Sequence, residues 1–407
     1  PVVIMDEIIP VDADPADIQK PRNTYDECVE YVINELNDAQ QFLPLKVTDN
    51  NQLSRPDQLT CMALKSRLLL YAASPLFNGN SEMASLKNKD GVPLINQSQD
   101  ASKWVKAAEA AKLLIDAMPG GLYKKNDADG NYDALASYRD IYFDRWNKEV
   151  IWARHSGGSS GTWEWNGGLI QVAGYANYGA TQQLVDAFFM ANGESPVLGY
   201  NADSKPIINS NSGYVESGPS AAGTKYTKAG VWNMYVNREP RFYASITFSG
   251  SEWVYKGADG KTPLYAEFFA TGKDGLQGGA RGMDPTKSGY VIRKYVSPNS
   301  DVFNRKLFDN AAWLFFRLGE IYLNYAEALN ESSPGHPDIF KYVNLIRERA
   351  GIPQYGSGPG ALPVPSSQDE ARRKIVAERR VELVFESHRL FDTRRWKIAP
   401  QTDGGPM

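Results

Sequence analysis

The amino-acid sequence predicts a mainly α-helical protein of stacked, tetratricopeptide-like helical hairpins, with a loop-rich insert that contains short strands. Amphipathic helix patterns fill residues 23–154 and return over residues 313–397. Between them, residues 155–312 are rich in Gly, Ser, Asn, Tyr and Trp, and only Thr181–Met190 has a convincing helical pattern. We therefore expect a single domain over residues 1–407, with a helical-repeat part, a ligand-facing insert and a C-terminal helical part.

The helical-repeat part begins with a helix that starts at a capping box. Thr24 stands at the N-cap and Glu27 follows three residues later, the pattern in which each residue satisfies a free backbone N–H. A second helix is predicted to begin near Ser54-Arg55-Pro56 and to end before Pro75. The two helices start roughly 34 residues apart and the second carries several small residues, which is typical of a tetratricopeptide-like hairpin.

Further elements are predicted from periodicity, turn residues and β-branched or aromatic runs. Helices are expected over Ser102–Met118, Trp313–Glu331, Ile339–Ala350 and Glu378–Glu386, and strands over Glu149–Arg154, Phe242–Phe248 and Tyr290–Tyr295.

Composition and motifs exclude several functional classes. The net charge of −4 provides no basic footprint for nucleic acid. The three histidines lack zinc-ligand spacing, and the chain contains no P-loop. We therefore expect no catalytic residues, no metal and no cofactor. Cys28 and Cys61 lie on apolar helix faces and are interpreted as free thiols.

A dense cluster of mixed charge follows residue 378. Because the signs alternate and Arg can bind a carboxylate through two parallel hydrogen bonds, we interpret the cluster as an ion-pair network that holds the last helices rather than as a phosphate site. Its members are Arg379, Arg380, Glu382, Glu386, Arg389, Asp392, Arg394 and Arg395.

The insert contains closely spaced aromatic residues that suit ligand binding. Exposed aromatic rings offer apolar faces with polar tips, on which a sugar ring or a peptide side chain can stack. Trp163 and Trp165 would point the same way if the segment were extended, and a second pair has the same spacing. The alternative, that these rings anchor a loop onto the helices, stays open. The candidate ligand-binding residues are Trp163, Trp165, Tyr175, Tyr178, Trp253 and Tyr255.

Seven segments together resemble the SusD/RagB family, the nutrient-capturing outer-membrane lipoproteins of Bacteroidetes. One of them, Asn237–Ile246, reads Asn-Arg-Glu-Pro-Arg-Phe-Tyr-Ala-Ser-Ile and is similar to a characteristic run of that family. In the family's order, the segments are Ala63–Asn78, Leu184–Phe188 with Asn192-Gly193, Asn237–Ile246, Gly289–Tyr295, Arg317–Glu331, Ile346–Ile352 and Glu378–Trp396.

This resemblance implies a non-enzymatic protein on the outer cell surface. It would capture oligo- or polysaccharide and deliver it to a SusC-like TonB-dependent transporter, with membrane association through an N-terminal lipid that this sequence does not contain. The family's first helices and its usual C-terminal end have no counterpart here, so we expect a chain truncated at both ends.

Three alternatives remain. The ligand of a RagB-like protein would be a peptide, which an acidic or basic cleft would favour over exposed aromatic rings. A helical-repeat scaffold that binds only protein would keep its tryptophans buried. A helical glycoside hydrolase needs two carboxyl groups that flank one glycosidic bond, and no pattern in the sequence identifies such a pair.

Overall fold

The computed structural model describes residues 1–5, 7–155, 161–278, 285–300 and 309–403. It is mostly helical, with three short two-stranded antiparallel sheets within these residues. The helices are α1 (Pro15–Ile18), α2 (Tyr25–Gln40), α3 (Gln58–Ala73), α4 (Ser102–Ala117), α5 (Ala134–Arg139), α6 (Gly161–Gly167), α7 (Gln182–Ala187), α8 (Pro240–Ser245), α9 (Leu318–Ser332), α10 (Asp338–Ala350), α11 (Gln368–Glu382), α12 (Arg389–Arg395) and α13 (Ala399–Thr402). The strands are β1 (Val150–Arg154), β2 (Val197–Tyr200), β3 (Pro206–Ile208), β4 (Ile246–Phe248), β5 (Tyr290–Ile292) and β6 (Trp313–Arg317).

The predicted mainly helical class with a loop-rich insert is confirmed. Every helix in the described ranges is too short or too polar to cross a bilayer.

The start of α2 is as predicted, whereas α3 begins later than predicted. The Thr24 side chain accepts a hydrogen bond from the Glu27 N–H at 3.2 Å, and the Thr24 N–H donates to Oε2 of Glu27 at 2.7 Å. For α3, the N-cap is Asp57, whose Oδ1 accepts from the Thr60 N–H at 2.9 Å. The Asp57 carboxylate accepts this free N–H in the first turn, so the N-cap of α3 lies at Asp57.

Small residues allow close helix packing in the main core. Helix α4 packs between α3 and α9, and α2 packs on α3. The alanines at these contacts are almost completely buried, including Ala63 on α3, Ala111 on α4 and Ala326 on α9. Short side chains let helix axes approach each other, so the stacked hairpins predicted from the sequence form a continuous core.

The predicted helix over Trp313–Glu331 is wrong in its first part. Residues Trp313–Arg317 form β6, which pairs antiparallel with β1, and α9 begins only at Leu318. The first four residues of the run Trp-Leu-Phe-Phe-Arg are all apolar, so the run fits a helical and an alternating pattern equally well and periodicity did not distinguish them. Aromatic residues fit a pleated surface well, and the Trp152 ring of β1 lies 4.5 Å from the Phe315 ring of β6.

Three other element predictions also need correction. The expected strand Phe242–Phe248 begins as helix α8 and is extended only over β4, which pairs with β5. Helix α11 ends at Glu382, because the turn that follows places Phe385 and Ser387 at φ of 62° and 65°. Helix α7 is shorter than the Thr181–Met190 pattern, whereas α10 ends at Ala350 as predicted, with Gly351 as its C-cap.

A buried ion network joins the two helical parts. Nη1 of Arg317 donates to Glu149 at 2.8 Å and to Glu382 at 2.7 Å, and its Nε donates to Glu386 at 2.7 Å. Glu382 also accepts from Arg241 at 3.0 Å and from Arg349. All of these side chains are at most 5% exposed.

The predicted C-terminal ion-pair network is therefore present, but its membership differs from the prediction. Arg379 and Arg395 both bind Asp392 at 2.8 Å. Arg380 and Arg394 instead donate to the backbone carbonyls of Gln183 and Leu390.

Replacement of Gly319 by Ala is expected to destabilise the protein through this network. A Cβ at Gly319 would overlap Nη1 of Arg317 and lie 3.0 Å from Oε1 of Glu149. Neither buried partner can move freely, so we expect a loss of roughly 1–3 kcal/mol in thermal or urea unfolding. The control is Gly120→Ala, at an exposed glycine where the nearest side-chain atom would lie at 3.6 Å. Equal unfolding free energies for the two variants would contradict close packing at Gly319.

Candidate functional site

The first predicted tryptophan pair lies on a helix and not on an extended segment. Trp163 and Trp165 belong to α6, in which residues two positions apart point to nearly opposite sides. The pair therefore does not form one platform, as it would on a strand. The preceding glycine- and serine-rich residues 157–160 lie outside the described residues.

Trp165 and Tyr175 form a small surface, called here the aromatic surface, together with Asn166 and Asn177. Their ring centroids lie 6.0 Å apart at an angle of 44°. Trp165 is half-buried and Tyr175 is 37% exposed. The Tyr175 N–H donates to the Trp165 carbonyl at 2.7 Å, and the Asn177 N–H donates to the Asn166 carbonyl at 2.9 Å. Backbone pairing thus positions two rings beside two amide side chains.

Trp163 points to the other side of α6 and anchors this helix on the frame. Its ring stacks nearly parallel to Trp313 of β6 at 6.1 Å and contacts Tyr295 at 4.6 Å. Tyr178 packs edge-on against Trp163 at 5.2 Å. Trp163 and Tyr178 are both half-buried, so the anchoring alternative left open by the sequence describes these two residues better than a free platform does.

Trp253 and Tyr255 are buried, contrary to an exposed platform. They are 2% and 8% exposed, and their rings pack edge-on at 5.6 Å. They belong to an apolar cluster with Leu169 and Val172, which follow α6 in the chain. The Trp253 N–H donates to the Leu264 carbonyl at 2.8 Å. This backbone pairing closes the segment over the cluster, and both aromatic rings point inward.

Glu164 fixes α6 to the chain segment after β5, a role that no sequence pattern predicted. Its carboxylate is 5% exposed and accepts from the Ser297 N–H at 3.1 Å and from the Ser300 hydroxyl at 2.5 Å. Burial raises the pKa of Glu164 to about 7, although these hydrogen bonds oppose the rise. The only signal in the sequence was a carboxylate between two tryptophans.

The six predicted site residues thus separate into one surface pair, two residues that anchor α6 and one buried pair. Trp165 and Tyr175 are accessible at the surface, Trp163 and Tyr178 anchor α6, and the second pair is buried. Whether any of them binds a ligand remains a prediction.

The three histidines have other surroundings. His155 packs on Trp146 at 4.8 Å, His336 accepts from the Asp338 N–H, and His388 lies 3.9 Å from Glu320. Within the described ranges, no group of three His, Cys, Asp or Glu residues is arranged to hold a metal ion.

Comparison with known proteins gives one family. The model of the SusD family matches residues 144–407. The curated SusD-like protein P2 of Formosa agariphila is 40% identical over 88 residues, which cover 22% of this chain and only 17% of that protein's length.

Solved structures resemble the whole described fold. A structure named BT4246 shares 26% identity and a TM-score of 0.79, over 98% of this chain and 70% of that chain. A SusD-like protein from Bacteroides fragilis NCTC 9343 covers 98% of this chain and 65% of its own, with a TM-score of 0.68. Its identity of 23% makes it a likeness in fold alone.

Proposed function

Because this chain belongs to the SusD family, we propose that it captures glycan at the outer cell surface and passes it to a SusC-like TonB-dependent transporter. In this proposal the protein binds oligo- or polysaccharide without cleaving it. Anchoring would be through an N-terminal lipid, and the stacked hairpins would face the transporter. The observation that carries the proposal is the aromatic surface of Trp165 and Tyr175.

The chemistry of this surface suits a sugar. A pyranose presents an apolar C–H face and hydroxyl edges, and the surface offers two rings beside the amides of Asn166 and Asn177. Covering about 40 Å² of ring contributes about 1 kcal/mol. With a few net hydrogen bonds, two or three such contacts give a dissociation constant in the roughly millimolar to micromolar range. Such weak binding suits a protein that must release its ligand to a transporter.

The test is titration calorimetry or affinity electrophoresis of the full-length protein against a panel of neutral and acidic polysaccharides and a peptide pool. We expect saturable binding to at least one glycan and no release of reducing ends. Binding to peptide alone would move the protein to the peptide-binding alternative, and production of reducing ends would identify a hydrolase. Absence of binding to every glycan would overturn the proposal.

Trp165→Ala is expected to weaken glycan binding about five- to tenfold, and Tyr175→Ala by a similar factor. Each substitution removes about 1 kcal/mol of ring contact, and removal of both should exceed either alone. The measurement is the dissociation constant for the best glycan of the panel.

The matched control is Trp232→Ala. Trp232 is another accessible tryptophan of the insert, 46% exposed, whose backbone bridges to Pro219. Its loss should leave the dissociation constant within about twofold. If the control and the Trp165 variant weaken binding equally, the ligand does not lie on the aromatic surface.

The transporter half of the proposal has its own test. Affinity purification of the lipidated protein from solubilised outer membranes should retain a TonB-dependent transporter at near-equal amount. Retention of no such protein, under conditions in which the glycan is still bound, would restrict the function to surface binding.

A further inference from the structure

A cavity lies in the insert, on the side of α5, and carries excess positive charge. Its volume is about 350 Å³, within the range of small-molecule sites. Four cationic side chains line it: Arg139, Arg293, Lys225 and Lys228. Glu252 is the one carboxylate among the lining residues of this described cavity.

Two carboxylates near the cavity are already paired with cations. Glu252 is paired with Lys256. Asp140, which accepts from Nε of Arg139 at 2.6 Å, also binds Lys125 at 2.7 Å. The remaining cations therefore exceed the carboxylates available to them in the described residues.

Arg293 is the most unusual of the four. Its Nη1 donates to the backbone carbonyl of Glu252 at 2.7 Å, and it is not among the ion pairs of the described residues. Burial and the nearby Arg139 lower the pKa of Arg293 to about 10. A largely buried guanidinium that forms no ion pair within the described residues retains donors for an oxyanion.

The walls of the cavity hold the other cations in place. Nζ of Lys228 lies 4.1 Å from the Tyr265 ring centroid, and Nζ of Lys225 lies 5.3 Å from that of Tyr226. Trp253 also lines the cavity, and its buried indole N–H has no hydrogen-bond partner in the described part of the chain. Charge, hydrogen-bond donors and aromatic walls therefore meet in one recess.

We propose that this recess binds the oxyanion of an acidic glycan, a sulfate ester or a uronate carboxylate. The inference rests on the proposed glycan-binding function and narrows its ligand class. Aromatic walls beside cations suit a sugar ring that carries a negative group, because the ring can stack while the anion meets Arg293 and Lys228. The overall charge of −4 makes general attraction of polyanions weak, so local binding is measurable.

The experiment compares chemically matched probes on the full chain. Dextran and sulfated dextran test the sulfate ester, and galactan and polygalacturonate test the carboxylate, each by affinity electrophoresis and calorimetry. We expect tighter binding of at least one acidic probe than of its neutral partner, with affinity that falls as NaCl is raised.

The variants locate the anion in the recess. Arg293→Gln should weaken acidic-probe binding about tenfold or more and Lys228→Gln by several-fold, because each removes a charged hydrogen-bond donor. Arg293→Lys should restore part of the affinity. If Arg293→Gln does not fold, Lys228→Gln and Lys225→Gln still test the recess.

The matched control is Lys341→Gln, at a lysine whose Nζ lies 5.1 Å from the Tyr342 ring outside this recess. It should leave acidic-probe binding unchanged. Equal binding of neutral and acidic probes, or equal losses for Lys228→Gln and Lys341→Gln, would overturn the inference.

Inorganic sulfate separates this inference from the proposed function. If no polysaccharide binds but sulfate raises the melting temperature of the wild type and not of Lys228→Gln, the recess binds anions and the glycan function is wrong. If neutral glycans bind and sulfate has no effect on any variant, the glycan function stands and the recess inference is wrong.

Discussion

Glu382→Ala is expected to lower the free energy of unfolding by about 3–5 kcal/mol. Glu382 is fully buried and accepts from Arg317, Arg241 and Arg349. Removing its carboxylate leaves these guanidinium groups close together in the core with less compensating charge. Because Arg317 and Arg349 also bind Glu149 of the first helical part, the loss should affect both halves of the frame. Urea unfolding at neutral pH measures it.

The control for this prediction is Glu348→Ala. Glu348 is 46% exposed and pairs with Lys124, so its removal should cost less than about 1 kcal/mol. Similar losses for Glu348→Ala and Glu382→Ala would contradict a special role of the buried network.

The effect of Glu382 also has a defined pH dependence. Burial alone would raise its pKa, but Arg349, Arg317 and Arg241 hold the pKa of Glu382 at about 2. A lowered carboxyl pKa contributes stability that is present above the unfolded pKa near 4.5 and is lost as the pH falls toward about 2. The difference in unfolding free energy between wild type and Glu382→Ala should therefore become smaller at acidic pH.

Glu164→Gln is expected to remove a pH dependence of stability whose sign is opposite to that of Glu382. Burial raises the pKa of Glu164 from 4.5 to about 7. The unfolded chain therefore releases this proton first, and stability that is fully present below pH 4.5 is lost as the pH rises to about 7. The maximum loss in the wild type is roughly 3 kcal/mol. The glutamine keeps an oxygen that can accept from Ser297 and Ser300, so its unfolding free energy should vary less between pH 5 and 8.

The measurement is the unfolding free energy of both proteins at several pH values, with Glu216→Gln as the exposed control. The control should keep the wild-type pH dependence. Since α6 carries Trp165, we also expect glycan binding to weaken above pH 7 in the wild type and not in Glu164→Gln. If the unfolding free energies of wild type and Glu164→Gln vary equally with pH, the Glu164 carboxyl group does not cause the pH dependence.

Local signals in the sequence determined much of the helical frame. Thr24 and Glu27 satisfy each other's backbone N–H groups within one turn, and Gly351 adopts φ of 71° at the end of α10. These features depend on neighbours within a few residues, so they could be read before the fold was known. The ordered motifs from Ala63 to Trp396 likewise identified the family without any tertiary information.

Tertiary structure alone decided which aromatic rings face solvent. Trp165 and Trp253 have similar local patterns, yet the first is half-buried at the surface and the second is packed under Leu169 and Val172. Likewise, the run Trp313–Arg317 became a strand because β1 was available to pair with it. Burial and strand pairing here depend on residues that are distant in the chain, and no local period contains that information. The charge excess around Arg293 arose in the same way, since α5 and the insert meet there only in the folded chain.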